Sequence, residues 1–211
     1  AYANEALRGD REIVLSAVKV NGEALEYASE ALRGDREIVL SAVKQYGRAL
    51  HYASDDLKSD RKVVLAAVKE HGSALWFARE EFRKDKEIVL AAVKQDGWAL
   101  QFASEALRSN RDFILSAIKE DGCALESASD ELRKDREFVL EAVKVNGEAL
   151  ESASKELGEN PEFVIAAIKR NPKASKYSLL DKGEIKELLQ KLSIEAYISK
   201  EAYKMSLFDT I

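Results

Sequence analysis

Imidazole and thiol groups are the side chains most often recruited as general base, nucleophile or soft-metal ligand. In this chain of 211 residues they are confined to His51, His71 and Cys123. No two of them have the short spacing that sets a pair of metal ligands on one helix face. His71 stands directly before Gly72, a position held elsewhere by Asn21, Tyr46, Asp96, Asp121 and Asn146, and reads as a turn residue rather than a base or ligand. No glycine-rich loop follows a strand pattern to cradle a phosphate. The carboxylates recur at fixed positions, the pattern of a solvated face. No catalytic residue, metal or cofactor is therefore expected, and the chain reads as non-enzymatic.

Two other sets of residues carry binding chemistry. Lys19, Lys44, Lys69, Lys94, Lys119, Lys144 and Lys169 form one column at a constant interval. Stacked, they would make a cationic row for a polyanion or an acidic partner. Each would equally complement the C-terminal dipole of a helix and cover the adjacent leucine with its stem, and invariance along the column favours that structural purpose. The second set varies. It comprises the series Glu23, Arg48, Ser73, Trp98, Cys123, Glu148; the series Glu26, His51, Trp76, Gln101, Glu126, Glu151; and the series Tyr27, Tyr52, Phe77, Phe102, Ser127, Ser152. On a helix the first two series face away from the apolar stripe and the third lies at its edge. Trp76 and Trp98, with Phe77, Phe102, Tyr52 and His51, are the expected partner-binding residues, because exposed tryptophans rimmed by polar side chains make an interaction hot spot. The competing expectation is that the indoles fold onto the adjacent turn.

Both columns follow from one stretch. Asp10 to Lys19 reads D-R-E-I-V-L-S-A-V-K and recurs from Asp35 to Lys44, with looser copies beginning at Asp60, Asp85, Asn110, Asp135 and Asn160. A fixed period without insertion marks a repeat architecture. Asp10 is a good N-cap, and Glu12 places negative charge in the first turn. Ile13, Val14, Leu15, Ala17 and Val18 span an arc of about 200°, too wide for a helix resting on one neighbour, so this first helix is expected to lie buried between units. Gly22 and its equivalents are expected to stop it in a left-handed conformation. A second helix with a narrower face follows, on Ala24, Leu25, Ala28, Ala31 and Leu32. Arg11, Arg36, Arg61, Lys86, Arg111 and Arg136, beside Glu12, Glu37, Glu87, Asp112 and Glu137, predict ion pairs between units.

The fold class is accordingly all-α: an α-solenoid, or superhelical array, of two-helix units with a helical C-terminal cap. Residues 1–9 read as the second helix of a truncated upstream repeat and 10–159 as six 25-residue repeats. Residues 160–182 read as a degenerate seventh, departing from the pattern at Pro172, Ser175 and Lys182, and 183–211 as the cap. Pro161 falls at a first helical position, where its missing amide is harmless.

The formal net charge of −5, with the signs interspersed, disfavours nucleic acid as a partner. One cysteine permits no internal disulfide and favours a reducing compartment such as the cytoplasm. No apolar run approaches the ~18 residues of a membrane span, and the first residues lack the pattern of a signal peptide. Tyr2 to Gly9 align with Tyr27 to Gly34, so the chain reads as a fragment of a larger protein. The expected function is a scaffold whose partner is another protein, with the chain monomeric in isolation; a structural spacer in a larger protein is the alternative beside the lysine row.

Units of the form D-R-E-I-V-L-x-A-V-K-x-(N/D)-G-x-A-L-x-x-A-S-x-x-L-(R/K) resemble a tandem helical repeat family known only as a domain of unknown function. Such repeats occur in long arrays in protist and some intracellular bacterial proteins. The resemblance covers about residues 1–170. It implies an all-helical array and brings no activity, cofactor or partner with it.

Overall fold

The computed structural model describes residues 5–181, 183–188, 190 and 191, and every regular element among them is helical. The first helices are Arg11–Val20, Arg36–Gln45, Arg61–Glu70, Lys86–Val93, Arg111–Glu120, Arg136–Val145 and Pro161–Arg170. Each carries an aspartate or asparagine cap, as the spacing predicts. Asp35 Oδ1, for instance, accepts from the amides of Glu37 and Ile38 at 2.9 and 3.1 Å. Asn160 likewise caps Phe163 at 2.9 Å, with Pro161 at the first helical position. The wide apolar arc is buried on both sides: Ile38, Val39, Ala42 and Val43 are fully enclosed, and their equivalents in later units are buried, Ile168 least of them.

The second half of the unit differs from the expected helix. In unit two (35–59) it is a 3₁₀ helix, Gly47–Tyr52, then a break, then a short α-helix, Asp55–Lys58. At the break Ala53 is extended, with φ −66° and ψ 155°. There the Ser54 amide leaves the helical ladder and donates to the Arg33 carbonyl of the preceding unit at 2.9 Å. Ser29, Ser104, Ser129 and Ser154 make the same bond to Arg8, Arg83, Arg108 and Arg133. A continuous α-helix would keep that amide for itself, so the break trades a local hydrogen bond for one that joins units.

The glycines also act differently from expectation. No described glycine has positive φ, and the first helix ends in an extended residue, Asn21 at φ −142°, rather than a left-handed turn. What Gly22, Gly47 and Gly72 supply is room. A Cβ on them would stand 2.3, 2.2 and 2.5 Å from the carbonyl oxygens of Ala42, Ala67 and Ala92 in the next unit. The turn residue before the glycine ties units together as well. Gly97 N–H donates to Asp121 Oδ2 at 2.8 Å, and Asn146 Nδ2 donates to the Ile118 carbonyl at 3.3 Å; Asn171, before Pro172, makes the same bond to Val143 at 2.8 Å.

The inter-unit ion pairs run chiefly to the capping aspartates. Arg11 Nε donates to Asp35 at 2.9 Å and Arg36 Nε to Asp60 at 2.7 Å; Arg61 pairs with Asp85, and Arg111 with Asp135 at 2.5 Å. Arg11 and Arg61 also reach Glu37 and Glu87, at 2.6 and 2.5 Å. Arg111 also lies over the Phe138 ring, 4.7 Å from its centroid, and Arg136, whose next cap is Asn160, lies over the Phe163 ring at 5.2 Å. At the C-terminal end Pro172–Lys176 is a 3₁₀ segment, and 183–188 with 190–191 are helical, burying Ile185 in the core. The rest of the expected cap, 192–211, lies outside the described residues, as does Lys182.

Candidate functional site

A 3₁₀ helix has three residues per turn, so side chains three apart eclipse one another. In unit two this puts Gly47, Leu50 and Ala53 on one buried edge and Arg48 and His51 on the exposed edge, with Tyr52 half-buried between them. In units three and four the exposed edge carries Trp76, 58% exposed, and Trp98, 49% exposed. Both indoles therefore stand outside, as the sequence predicts, although through three-fold rather than α-helical periodicity.

The predicted site residues fall into three groups. His51 lies 5.0 Å from the Tyr52 ring and 4.8 Å from Phe77 of the next unit. Trp76 meets Phe102 edge-on at 5.5 Å, again one unit on. Trp98 makes no ring contact among the described residues; Gln101 Nε2 donates to its carbonyl at 3.1 Å. Each step crosses to the residue 26 positions along, giving an aromatic band over units two to four. Burial, followed by the negative charge of Glu26 and Glu23, pushes the Tyr52 phenol above its ordinary range. The band ends where Ser127 and Ser152 replace the aromatic and are buried.

The lysine column faces solvent throughout. Lys94 approaches Glu120 at 3.8 Å; the other six form no ion pair among the described residues. His71 is the turn residue its position implies. Its Nδ1 accepts from Gly47 N–H at 3.1 Å, and its ring stands edge-on to Tyr46 at 4.9 Å.

One cluster was not legible in terms of Cys and His spacing. Asp121, Cys123 and Glu148 bring their ligating atoms within 4.8 Å of one another. Cys123 Sγ lies 3.6 Å from Glu148 Oε1. Asp121 is already engaged, with Oδ1 accepting from Cys123 N–H at 2.9 Å and Oδ2 from Gly97 N–H. Burial, then the charges of Glu148 and Asp121, push the thiol up to about 12. The group acts as a turn cap with a quenched thiol. Its signal in the sequence is that Cys123 and Glu148 share one column of the repeat.

Six segments, residues 1–33, 35–83, 68–108, 85–133, 110–158 and 135–179, the last five overlapping in series, match the family model described as Domain of unknown function (DUF4116). The chain belongs to the DUF4116 family. No curated protein and no solved structure matches it. Among the described residues of this DUF4116 chain no helix is long and apolar enough to cross a membrane. In the DUF4116 frame as seen here, the near-constant positions are among those that join units: the capping aspartate, the glycine and the serine at the break. The aromatic band sits on positions the frame leaves free.

Proposed function

We propose that this DUF4116 array is a non-enzymatic scaffold that binds another protein through the outer edge of the 3₁₀ segments in units two to four. The observation that carries this reading is the pair of exposed indoles, Trp76 and Trp98, on neighbouring units, beside the ring contacts of Trp76 with Phe102 and of His51 with Tyr52 and Phe77. Large aromatics are seldom left in water, and they are enriched among residues that dominate interface energies. Their equivalents in other units are Glu, Arg, Gln, Ser, His and Cys, so the frame does not need them.

The test is a partner screen by cross-linking, with the chain compared against the Trp76→Gln, Trp98→Gln double variant. Loss of a cross-linked species at unchanged melting temperature, with the interaction surviving raised salt, supports the reading. Retention of every species by the double variant overturns it. A second reading rests on the six lysines without an ion pair: a row able to bind a polyanion or an acidic partner. It predicts retention on a heparin column that falls steeply with salt and is lost when Lys44, Lys69 and Lys119 are changed to Gln.

A further inference from the structure

Three interlocks recur at the internal joints of the array, the arginine–aspartate pair at four of them and the turn-asparagine bond at the last two. Arginine of one unit reaches the free Oδ2 of the next unit's capping aspartate, as Arg11 does to Asp35 and Arg36 to Asp60. The turn asparagine reaches back to a helix carbonyl of the preceding unit, as Asn146 does to Ile118 at 3.3 Å and Asn171 to Val143. An apolar face closes between the two first helices. On the outer side of unit one all three halves stand open. Asp10 Oδ1 caps Glu12 and Ile13 at 3.0 Å each, while Oδ2 has no partner among the described residues. Asn21 accepts from Glu23 through Oδ1, and its Nδ2 donates to nothing described. Ile13 is 45% exposed where Ile38, Ile88 and Phe138 are fully buried. With Leu7, Val14, Ala17, Ala24 and Tyr27 it lines an apolar depression of about 210 Å³.

We infer that this face is a docking surface for a helical unit of the same repeat type, carrying an arginine in the register that Arg61 holds toward Asp85 and Glu87. The arginine would meet Asp10 Oδ2 and Glu12, and the last turn of the incoming helix would offer a carbonyl to Asn21 Nδ2. Its apolar face would cover Ile13 and Ala17. Charge complementarity selects this occupant over a second copy of the chain. Head to tail, the last unit holds Pro161 where the arginine should be, and its outer side is already packed by Ile185. Face to face, two copies bring together Asp10 and Glu12 of both. The nearest arginines are engaged, Arg8 with the Tyr27 carbonyl at 2.7 Å and Arg11 with Asp35 and Glu37.

The test joins a copy of residues 51–75 ahead of Ala1, which sets the arginine of the copy 24 residues before Asp10 and so keeps the register of Arg61 to Asp85. A twin fusion carries Arg61→Glu in the copy. Amide hydrogen exchange at residues 13–18 is compared among both fusions and the unmodified chain. The expected result is protection raised by about tenfold or more in the arginine fusion and clearly less in the glutamate twin. Unchanged exchange in the arginine fusion overturns the docking surface. Equal protection in both fusions overturns recognition through arginine. A dimer of the unmodified chain in sedimentation, with residues 13–18 already protected, overturns the choice of occupant in favour of self-association.

Discussion

At Gly47 a side chain has nowhere to go, since a Cβ would lie 2.2 Å from the Ala67 carbonyl oxygen and 2.9 Å from the His71 amide. Neither obstacle is the end of a flexible side chain. Gly47→Ala is therefore expected to destabilise the array by ~1–3 kcal/mol in chemical denaturation, the usual range for overpacking. Gly9→Ala is the matched control, because nothing lies within 4 Å of that Cβ. It should be neutral or mildly stabilising, as expected when a helical glycine gains a methyl. The sequence marks Gly47 by its period but cannot show the obstacle, which belongs to a residue 20 positions on. Cys123 illustrates the same limit. With its thiol up to about 12, through burial first and Glu148 and Asp121 next, it should react very slowly with iodoacetamide at pH 8. Glu148→Gln removes one of the charges, lowers the thiol toward its ordinary range and should speed alkylation, read by mass spectrometry.

Among elements, the start and the buried face of the first helix were legible, because the cap directly precedes the apolar arc; its stop was not, since it ends in an extended residue rather than a left-handed glycine. Nor was the second element. Its apolar spacing of three and four fits an α-helix, whereas the 3₁₀ segment and the extended break at Ala53 and Ser54 exist to hand the Ser54 amide to Arg33 of another unit. The partner of each cap was half legible: the arginine row pointed across units, and the acceptor proved to be the capping aspartate more than the first-turn glutamate. That sharing has a pH consequence. Asp60 and Asp85 are held below the usual carboxylate range, first by the arginine of the preceding unit and then, against burial, by the amides they cap. Folded values below unfolded ones mean that the stabilisation is complete above the unfolded carboxylate range. It is lost as pH falls through the folded values. Thermal stability should hold from neutral pH down to about pH 5 and decline below about pH 4. Asp60→Asn, which keeps an acceptor for the cap, should flatten part of that decline. Asp60→Ala should in addition lose ~1 kcal/mol from the missing cap.

For the whole molecule, the two ends are unequal. Unit one leaves Ile13 and Ala17 in water, while the last unit has Ile185 packed on it. In a stack where each unit leans on its neighbours, opening should start at the unit whose first helix is exposed on one side. Hydrogen exchange is expected to be fastest among the first helices in Arg11–Val20, and at least ~tenfold slower in Arg61–Glu70, which is enclosed on both sides. Equal rates would show that the array opens as one body. The surface has its own gradient: the exposed indoles occupy units three and four, and serines end the band beyond them. The array's helicity and period could be read from the sequence, since they depend on local pattern. Its polarity depends on which face meets which, and that appears only once the units are stacked.

The bonds that join units have a uniform reach. Arg8 to Tyr27 spans 19 residues, Ser29 to Arg8 spans 21, Arg11 to Asp35 spans 24 and Asn146 to Ile118 spans 28. Adding a unit lengthens the chain without lengthening any of these loops, so relative contact order falls as the array grows. The entropy of closing a loop depends on the logarithm of its length, so spans of 19 to 28 residues differ little in cost. Folding can then advance along a nascent chain at a steady rate, each unit docking once about thirty residues have emerged behind it. Duplication or deletion of a whole unit within the array leaves the folding problem at every remaining joint unchanged.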